Sequence, residues 1–172
     1  ENWRPLLKIK LGQDGDLERV AAVRKNAPNA RLIVDANEGW CLTELEKKSC
    51  QFANLGVDLI EQPLPAAQDS VLDQFTHSVP LCADESCHTS DDIERIANRY
   101  EFVNIKLDKT GGLTEALAVK EAAQLEGMGI MVGCMVGTSL SMAPAFFLAQ
   151  QVDYVDLDGP LLLEKDRDPG LQ

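Results

Sequence analysis

Residues 31–63 read RLIVDANEGWCLTELEKKSCQFANLGVDLIEQP, and the order of patterns in this stretch decides the fold. A short apolar run ends at Asp35, an amphipathic pattern covers residues 42–55, and a second apolar run ends at Glu61. Bounded runs of about five apolar, β-branched residues are typical of strands, whereas residues 42–55 are long enough for a helix. A strand, a helix and another strand in succession predict a parallel βαβ unit.

The same pattern recurs along the whole chain. We expect seven strands, at Leu6–Lys10, Arg31–Asp35, Val57–Glu61, Pro80–Asp84, Phe102–Lys106, Gly129–Val132 and Tyr154–Asp156. We expect helices at Leu17–Lys25, Leu42–Leu55, Ser90–Asn98 (with an N-cap among Ser90, Asp91 and Asp92), Thr114–Glu126 and Ser139–Gln151. The first five strand ends are 22 to 26 positions apart, a natural period for a (β/α) barrel. An open doubly wound sheet could also hold seven strands, but its phosphate-binding glycine loop is missing. We therefore predict an α/β fold, a partial (β/α)7β-type catalytic barrel over residues 1–172.

Composition narrows the class of protein. Of the 172 residues, 45% are hydrophobic and 26% are charged, which is ordinary for a folded domain. The net charge of −12 argues against nucleic acid or an anionic membrane surface as a partner. No apolar stretch approaches the roughly 20 residues that span a bilayer. The five cysteines lack metal-site spacing, so we expect reduced thiols and a cytoplasmic protein.

Charged residues end five successive strands. They are Lys10, Asp35, Glu61, Asp84 and Lys106. In a barrel the carboxyl ends of the strands meet at one mouth, where three carboxylates would repel unless a cation neutralised them. Hard oxygen ligands suit Mg²⁺, one ion per site, with Mn²⁺ as a substitute. His77 and His88 fall in loops or beside helices, which argues against zinc.

The lysines on either side of the carboxylates indicate proton transfer. A lysine near a divalent cation, or near a second ammonium such as Lys8, has a lowered pKa and can act as a base. Lys10 and Lys106 on opposite faces of one substrate carbon would suit a 1,1-proton transfer beside a carboxylate, through a metal-stabilised enediolate.

Five ordered motifs resemble the enolase superfamily, in particular its muconate-lactonizing-enzyme subgroup. They are Lys8-Ile9-Lys10, Asp35-Ala36-Asn37, Glu61-Gln62-Pro63, Ala83-Asp84-Glu85-Ser86 and Lys106-Leu107-Asp108. The resemblance implies that the lysines Lys10 and Lys106 are the acid/base pair and that the three carboxylates are metal ligands. It implies that Lys8 depresses the pKa of its partner and contacts the substrate carboxylate. It also implies supporting roles, as residues that hold ligands and lysines in place, for Asn37, Glu85 and Asp108.

The residues near the last two predicted strands indicate the class of substrate. Asp156 and Asp158 would place two carboxylates on one face of an extended segment, a reasonable receptor for a cation. In the resembling family such a pair marks dipeptide epimerases, where it binds the substrate's α-ammonium. The loop with Cys134 and Met135 resembles the family's substrate-contacting loop. The resemblance therefore implies epimerisation of a dipeptide of the L-Ala-D/L-Glu type, and a place in murein peptide recycling.

The resemblance also implies parts that this sequence does not contain. Members of the family carry an N-terminal α+β capping domain and a first barrel strand ahead of the Lys8-Ile9-Lys10 motif. We expect that segment to be supplied by another chain or to have been lost from this one. An exposed barrel edge would also encourage a homo-oligomer.

Other activities stay open at this point. N-acylamino-acid racemase, o-succinylbenzoate synthase and cycloisomerase reactions use the same metal and lysine arrangement, but their substrates lack a free α-ammonium. An alternative, non-catalytic interpretation is that the partial barrel serves as a binding module.

Overall fold

The computed structural model describes residues 4–170. The chain divides into two compact units, the first ending at Ser86 and the second beginning at Cys87. Each unit is built from parallel strands that alternate with helices, as the sequence predicts.

The first unit holds four parallel strands in chain order. Its elements are β1 (Leu6–Lys10), α1 (Asp16–Asn26), β2 (Arg31–Asp35), α2 (Leu42–Asn54), β3 (Val57–Glu61), a 3₁₀ helix (Ala66–Gln74) and β4 (Leu81–Ala83). β1 pairs with β2, β2 with β3, and β3 with β4. The register aligns Lys10 with Asp35 and Asp35 with Glu61, so that three charged strand ends lie at the same edge.

The core of the first unit follows from its sequence pattern. Leu32, Ile33 and Val34 of β2 are fully buried, as expected for a strand that is covered on both faces. α2 turns Leu45 and Phe52 inward on one stripe, and its other residues are mostly exposed. The apolar run and the helical stripe therefore bury their side chains against each other.

The second unit contains three parallel strands. Its elements are a 3₁₀ turn (Ser90–Asp92), α3 (Ile93–Ile96), β5 (Phe102–Ile105), α4 (Leu107–Thr110), α5 (Leu113–Leu125), β6 (Gly129–Val132), α6 (Ser139–Leu148), β7 (Tyr154–Val155) and a 3₁₀ helix (Gly159–Leu162). β5 pairs with β6 and β6 with β7, in parallel. α5 buries Ala116, Val119 and Ala123, small side chains that let a helix approach its strands closely.

All seven predicted strands are confirmed, and three are shorter than expected. β5 ends at Ile105, one residue before Lys106. β4 stops at Ala83, so that Asp84 is the first residue of the following loop, and β7 covers only two residues. Within residues 4–170, no helix has the length and apolar character that crossing a bilayer requires. All five cysteines are free thiols.

The predicted start of the helix near residue 90 is wrong by one position. Thr89 is the N-cap, and the segment begins as a 3₁₀ turn before it becomes α3. The cause is Asp92, whose Oδ2 accepts the N–H groups of His88 at 2.9 Å and Thr89 at 3.0 Å. The acidic residue therefore acts from inside the first turn, as the reciprocal partner of a capping box.

Candidate functional site

Charged side chains meet at the carboxyl ends of β1 to β4. Lys10, Asp35 and Glu61 are the last residues of their strands, and Asp84 directly follows β4. Parallel strands in this register bring their carboxyl ends together, which is where active sites are built in barrel folds. The first unit alone therefore brings together the three predicted metal ligands and one of the two predicted catalytic lysines.

Two lysines contact these carboxylates. Lys8 Nζ lies 3.1 Å from Asp35 Oδ2 and 2.8 Å from Glu61 Oε2, and its side chain is 14% exposed. Lys10 Nζ lies 2.6 Å from the same Asp35 oxygen, but its side chain is 62% exposed. Lys8 and Lys10 are two residues apart in β1, so their side chains lie on the same face of the strand. Lys8 is thus a mostly buried counter-ion, whereas the side chain of Lys10 is largely exposed to solvent, where a substrate can reach it.

The three carboxylates form an electrostatically crowded group. Asp35, Glu61 and Asp84 are at most 1% exposed. Burial raises the pKa of Glu61 to about 7; the Lys8 ammonium opposes this shift, and the charges of Asp35 and Asp84 add to it. Burial also raises the pKa of Glu85, with a further contribution from Asp84. Such an excess of buried negative charge favours a cation among the carboxylates.

The donor set fits Mg²⁺, because carboxylate oxygens are the ligands that this ion prefers. In the described part of the chain, no group of three His, Cys, Asp or Glu side chains is already arranged to hold a metal ion. The Lys8 ammonium contacts Oδ2 of Asp35 and Oε2 of Glu61, so a cation that bound these same two oxygens would take the place of the ammonium.

Asn37 links Lys10 to the loop after β4. Its Oδ1 accepts a hydrogen bond from Lys10 Nζ at 3.0 Å, and its Nδ2 donates to Glu85 Oε1 at 3.3 Å. Its backbone N–H donates to Asp35 Oδ1 at 3.0 Å, in a left-handed conformation with φ of 43°. Asn37 and Glu85 therefore lie where residues that orient Lys10 and Asp35 would be expected.

The second unit carries the remaining predicted residues. Lys106 follows β5 and is 5% exposed, and Asp108 is an exposed residue of the short helix α4. Cys134 follows β6 and is half-buried; burial raises the pKa of its thiol. The charges of Asp156 and Asp158 raise it further, whereas the Gly159 N–H and Lys106 act in the opposite direction. Lys106, Cys134 and the two aspartates are thus close enough to interact electrostatically.

The conformation of the aspartate pair differs from the sequence expectation. β7 ends at Val155, and Asp158 has φ of −86° and ψ of 0°, as the N-cap of the 3₁₀ helix Gly159–Leu162. The segment is not extended throughout, because the 3₁₀ helix begins at Gly159, immediately after Asp158, with Pro160 in its first turn. Asp158 and Met135 are exposed, and Asp156 is half-buried.

Sequence reasoning missed a buried polar network beside the carboxylates. Gln62 is fully buried directly after Glu61, and its amide contacts the backbone of Asp84 and the side chain of Ser86. The available signal was a glutamine between Glu61 and Pro63, directly after a strand, which alone does not identify hydrogen-bond partners. Asp69, which accepts a hydrogen bond from Ser86 Oγ at 2.6 Å, lies in a 3₁₀ helix that the sequence pattern did not indicate.

Known proteins resemble this chain along nearly its whole length. Residues 5–166 match the family model described as Enolase C-terminal domain-like. An N-acetyl-D-glutamate racemase from Pseudoalteromonas sp is 55% identical over 96% of this chain and 53% of its own length. An L-Ala-D/L-Glu epimerase from Escherichia coli K12 is 50% identical over 97% of this chain and 52% of its own length.

A solved structure is similar to this chain in both fold and sequence. It is an enolase family member from Agrobacterium tumefaciens with homology to dipeptide epimerases, with bound sodium and L-Ala-L-Glu. It superposes with a TM-score of 0.94 at 56% identity, over 98% of this chain and 52% of that one. The chain thus spans about half the length of the relatives it matches.

Proposed function

This chain belongs to the enolase C-terminal domain-like family, and on that premise we propose that it carries the metal and lysine residues of an epimerase for dipeptides of the L-Ala-D/L-Glu type. Family membership also confirms the fold class predicted from the sequence, a partial (β/α) barrel of the enolase superfamily. The observation that carries the proposal is the pair of lysines on β1 in contact with buried Asp35 and Glu61, with a third buried carboxylate, Asp84, directly after β4.

Asp35, Glu61 and Asp84 are the proposed ligands of one Mg²⁺ ion, with Mn²⁺ as a substitute. Their burial and mutual repulsion support this role, since a divalent cation offsets three neighbouring negative charges. The bound ion would stabilise the negative charge that develops on the substrate carboxylate when the adjacent α-proton leaves.

Lys10 and Lys106 are the proposed base and acid. Lys10 has the exposure that a group in contact with substrate needs, and Asn37 and Asp35 restrict the positions of its ammonium. Lys106 is held at the end of β5, where its carbonyl oxygen accepts the N–H groups of Lys109 and Thr110 in the first turn of α4. Inversion at carbon requires one lysine to remove the proton and the other to return a proton on the opposite face.

Asp156 and Asp158 are the proposed receptor for the dipeptide's α-ammonium. Two carboxylates near one loop, partly exposed, suit a cationic group that has to enter from solvent. Cys134 and Met135 are proposed to line the same substrate loop. We also propose that the protein works in the cytoplasm on peptides from murein turnover; its five free thiols suit a reducing compartment.

A second candidate is racemisation of N-acetylglutamate, favoured by the 55% identical relative. Both candidate substrates present a glutamate α-carbon bearing an acylated nitrogen, so the same lysines and metal would serve either reaction. They differ at the acyl group, because only the dipeptide has an ammonium there. The Asp156 and Asp158 pair therefore favours the dipeptide.

The test is deuterium exchange followed by NMR, on the complete protein in D₂O with Mg²⁺. The substrates are L-Ala-D-Glu, L-Ala-L-Glu and N-acetyl-D-glutamate. We expect deuterium at the glutamate α-carbon and interconversion of the two dipeptides, with slower reaction of the N-acetyl compound. Faster turnover of N-acetylglutamate would establish the second candidate, and no exchange with any of the three would refute both.

Single lysine variants test the two-sided mechanism. Lys10→Ala and Lys106→Ala should each lose interconversion, while one of the two diastereomers still exchanges its α-proton in each variant. The matched control is Lys25→Ala, which removes an exposed lysine at the end of α1. If either active-site variant kept full interconversion, its lysine would have no part in proton transfer.

A further inference from the structure

Gln62 is a buried residue in an unfavourable backbone conformation. It is 0% exposed and has φ of 33°, in the left-handed region that residues with a Cβ rarely adopt. Such a conformation persists only where the surrounding contacts over-determine it. The contacts of Gln62 must therefore be strong enough to hold it in place.

The side-chain amide of Gln62 makes four hydrogen bonds. Its Oε1 accepts the N–H groups of Asp84 at 2.8 Å and Ser86 at 3.1 Å. Its Nε2 donates to the Leu64 carbonyl oxygen at 2.8 Å and to Ser86 Oγ at 2.9 Å. Two donated and two accepted bonds use the full capacity of an amide. Neither a carboxylate nor an apolar side chain of the same length could replace them.

The amide is held in one orientation. Ser86 Oγ donates its single proton to Asp69 Oδ2 at 2.6 Å, and Asp69 is 1% exposed. The hydroxyl therefore has only lone pairs left for Gln62, so the Gln62 atom facing it must be the NH₂ group. The other end of the amide then faces two backbone N–H groups, which only an oxygen can satisfy.

Gln62 connects all three segments that carry the carboxylates. It is joined by a peptide bond to Glu61, and its side chain binds the backbone N–H of Asp84. Its own carbonyl oxygen accepts the N–H of Glu38 at 2.9 Å, three residues beyond Asp35. One buried residue thus fixes the distances between the ends of β2, β3 and β4.

We propose that Gln62 is a positioning residue that sets the spacing of Asp35, Glu61 and Asp84 for a divalent cation. This inference rests on the proposed function, because the three carboxylates matter as a set only if they bind a metal together. Residues that orient metal ligands typically contribute about 10- to 100-fold to metal affinity. Gln62 acts through the backbone of its neighbours and contacts no ligand carboxylate in the hydrogen bonds described above.

The experiment measures Mn²⁺ affinity by electron paramagnetic resonance on the complete protein without substrate. Gln62→Met keeps the length of the side chain and removes all four hydrogen bonds. The matched control is Ser49→Ala, which removes another buried acceptor, of the Ser78 N–H at 3.0 Å, away from the carboxylates. Urea unfolding of the metal-free proteins shows how much stability each change costs.

We expect the Kd for Mn²⁺ to rise about 10- to 100-fold in Gln62→Met and to stay within about twofold in Ser49→Ala, although both are less stable. An unchanged Kd in Gln62→Met would overturn the positioning role. If that variant does not fold, Ser86→Ala removes only the hydroxyl that orients the amide, and an unchanged Kd there would overturn the role equally. Failure of the wild-type protein to bind Mn²⁺ would instead refute the proposed metal site and with it the proposed function.

Discussion

Replacing Asp16 by Asn should destabilise the first unit more than the loss of one charge suggests. Asp16 is 3% exposed and accepts five hydrogen bonds, two of them from the backbone of the loop after β1. Trp40 Nε1 donates to it at 2.8 Å, Lys48 Nζ at 2.9 Å and Arg19 Nη1 at 3.0 Å. The carboxylate therefore ties the loop after Lys10 to the loop and helix that follow β2.

The size of the loss in the free energy of unfolding follows from where the new NH₂ group of the Asp16→Asn variant would lie. Oδ1 of Asp16 faces two donors and Oδ2 faces three, so an amide places its NH₂ against donors in either orientation. Each buried donor left without an acceptor costs about 1–3 kcal/mol, and Lys48 also loses its charged partner. We expect a loss of about 3 kcal/mol, which lowers the Tm by roughly 6–12 °C for a chain of this size.

The pH dependence of the free energy of unfolding provides a second test of the role of Asp16. Burial opposes ionisation, but the bonds from Lys48, Trp40 and the backbone outweigh it and hold the pKa of Asp16 below its usual value of 3.8. A group with a depressed pKa in the folded state stabilises it above the unfolded pKa and loses that effect as the pH falls. The difference in the free energy of unfolding between wild type and variant should therefore be largest at pH 7 and should decrease below about pH 4.

The assay is thermal and urea unfolding at pH 7 and at pH 3, with Asp14→Asn as the control. Asp14 is exposed two positions away, so its replacement should change the free energy of unfolding by less than about 0.5 kcal/mol. A Tm for Asp16→Asn within 2 °C of wild type at pH 7 (well below the roughly 6–12 °C expected) would refute the reasoning. A stability difference that did not depend on pH would show that packing, rather than the ionised carboxylate, is responsible.

Three further predictions concern other parts of the chain. Asp92→Asn should cost about 1 kcal/mol in urea unfolding at pH 7, because the Asp92 carboxylate accepts the backbone N–H groups of His88 and Thr89 in the capping box. Although burial opposes it, hydrogen bonding lowers the Asp92 pKa to about 2, so the difference should fade as the pH drops from 4 towards 2. Gly39→Ala should cost about 1–3 kcal/mol in the same assay, since the new Cβ would lie 2.8 Å from Gly12 Cα; an unchanged midpoint would contradict this contact. Asp158→Asn should lower kcat/KM for the dipeptide about tenfold and leave N-acetylglutamate unaffected, and equal losses on both would exclude ammonium recognition.

The strands and their charged ends could be predicted because their signals are local. A run such as Arg31–Asp35 is apolar, short and closed by a charge, and these properties hold whatever the rest of the chain does. The resemblance to known motifs then assigned roles that composition alone could not. The shortened β4 and the shifted cap at Thr89 are errors of one or two residues, as hydrogen bonds between side chain and backbone decide such boundaries.

The polar network beside the carboxylates could not be predicted, because it depends on distant segments meeting. Gln62, Asp69 and Ser86 are separated in sequence, and none of them has a periodicity that indicates burial. The 3₁₀ helix Ala66–Gln74 has few buried residues, so it lacks the apolar stripe by which helices are recognised. Asp16 is a similar case, since its position as the first residue of α1 suggests an ordinary acidic helix start rather than a buried side chain that binds several segments.

The contact of Lys8 with Asp35 and Glu61 has a consequence for the order in which the protein is assembled. A cluster of buried carboxylates without a counter-charge would oppose folding until a metal ion arrived. Lys8 supplies that counter-charge from within the chain, at 3.1 Å and 2.8 Å from the two carboxylates. We therefore expect folding not to depend on the proposed metal ion: without magnesium the first unit should still reach the structure described above, and the proposed ion would bind in a separate, later step.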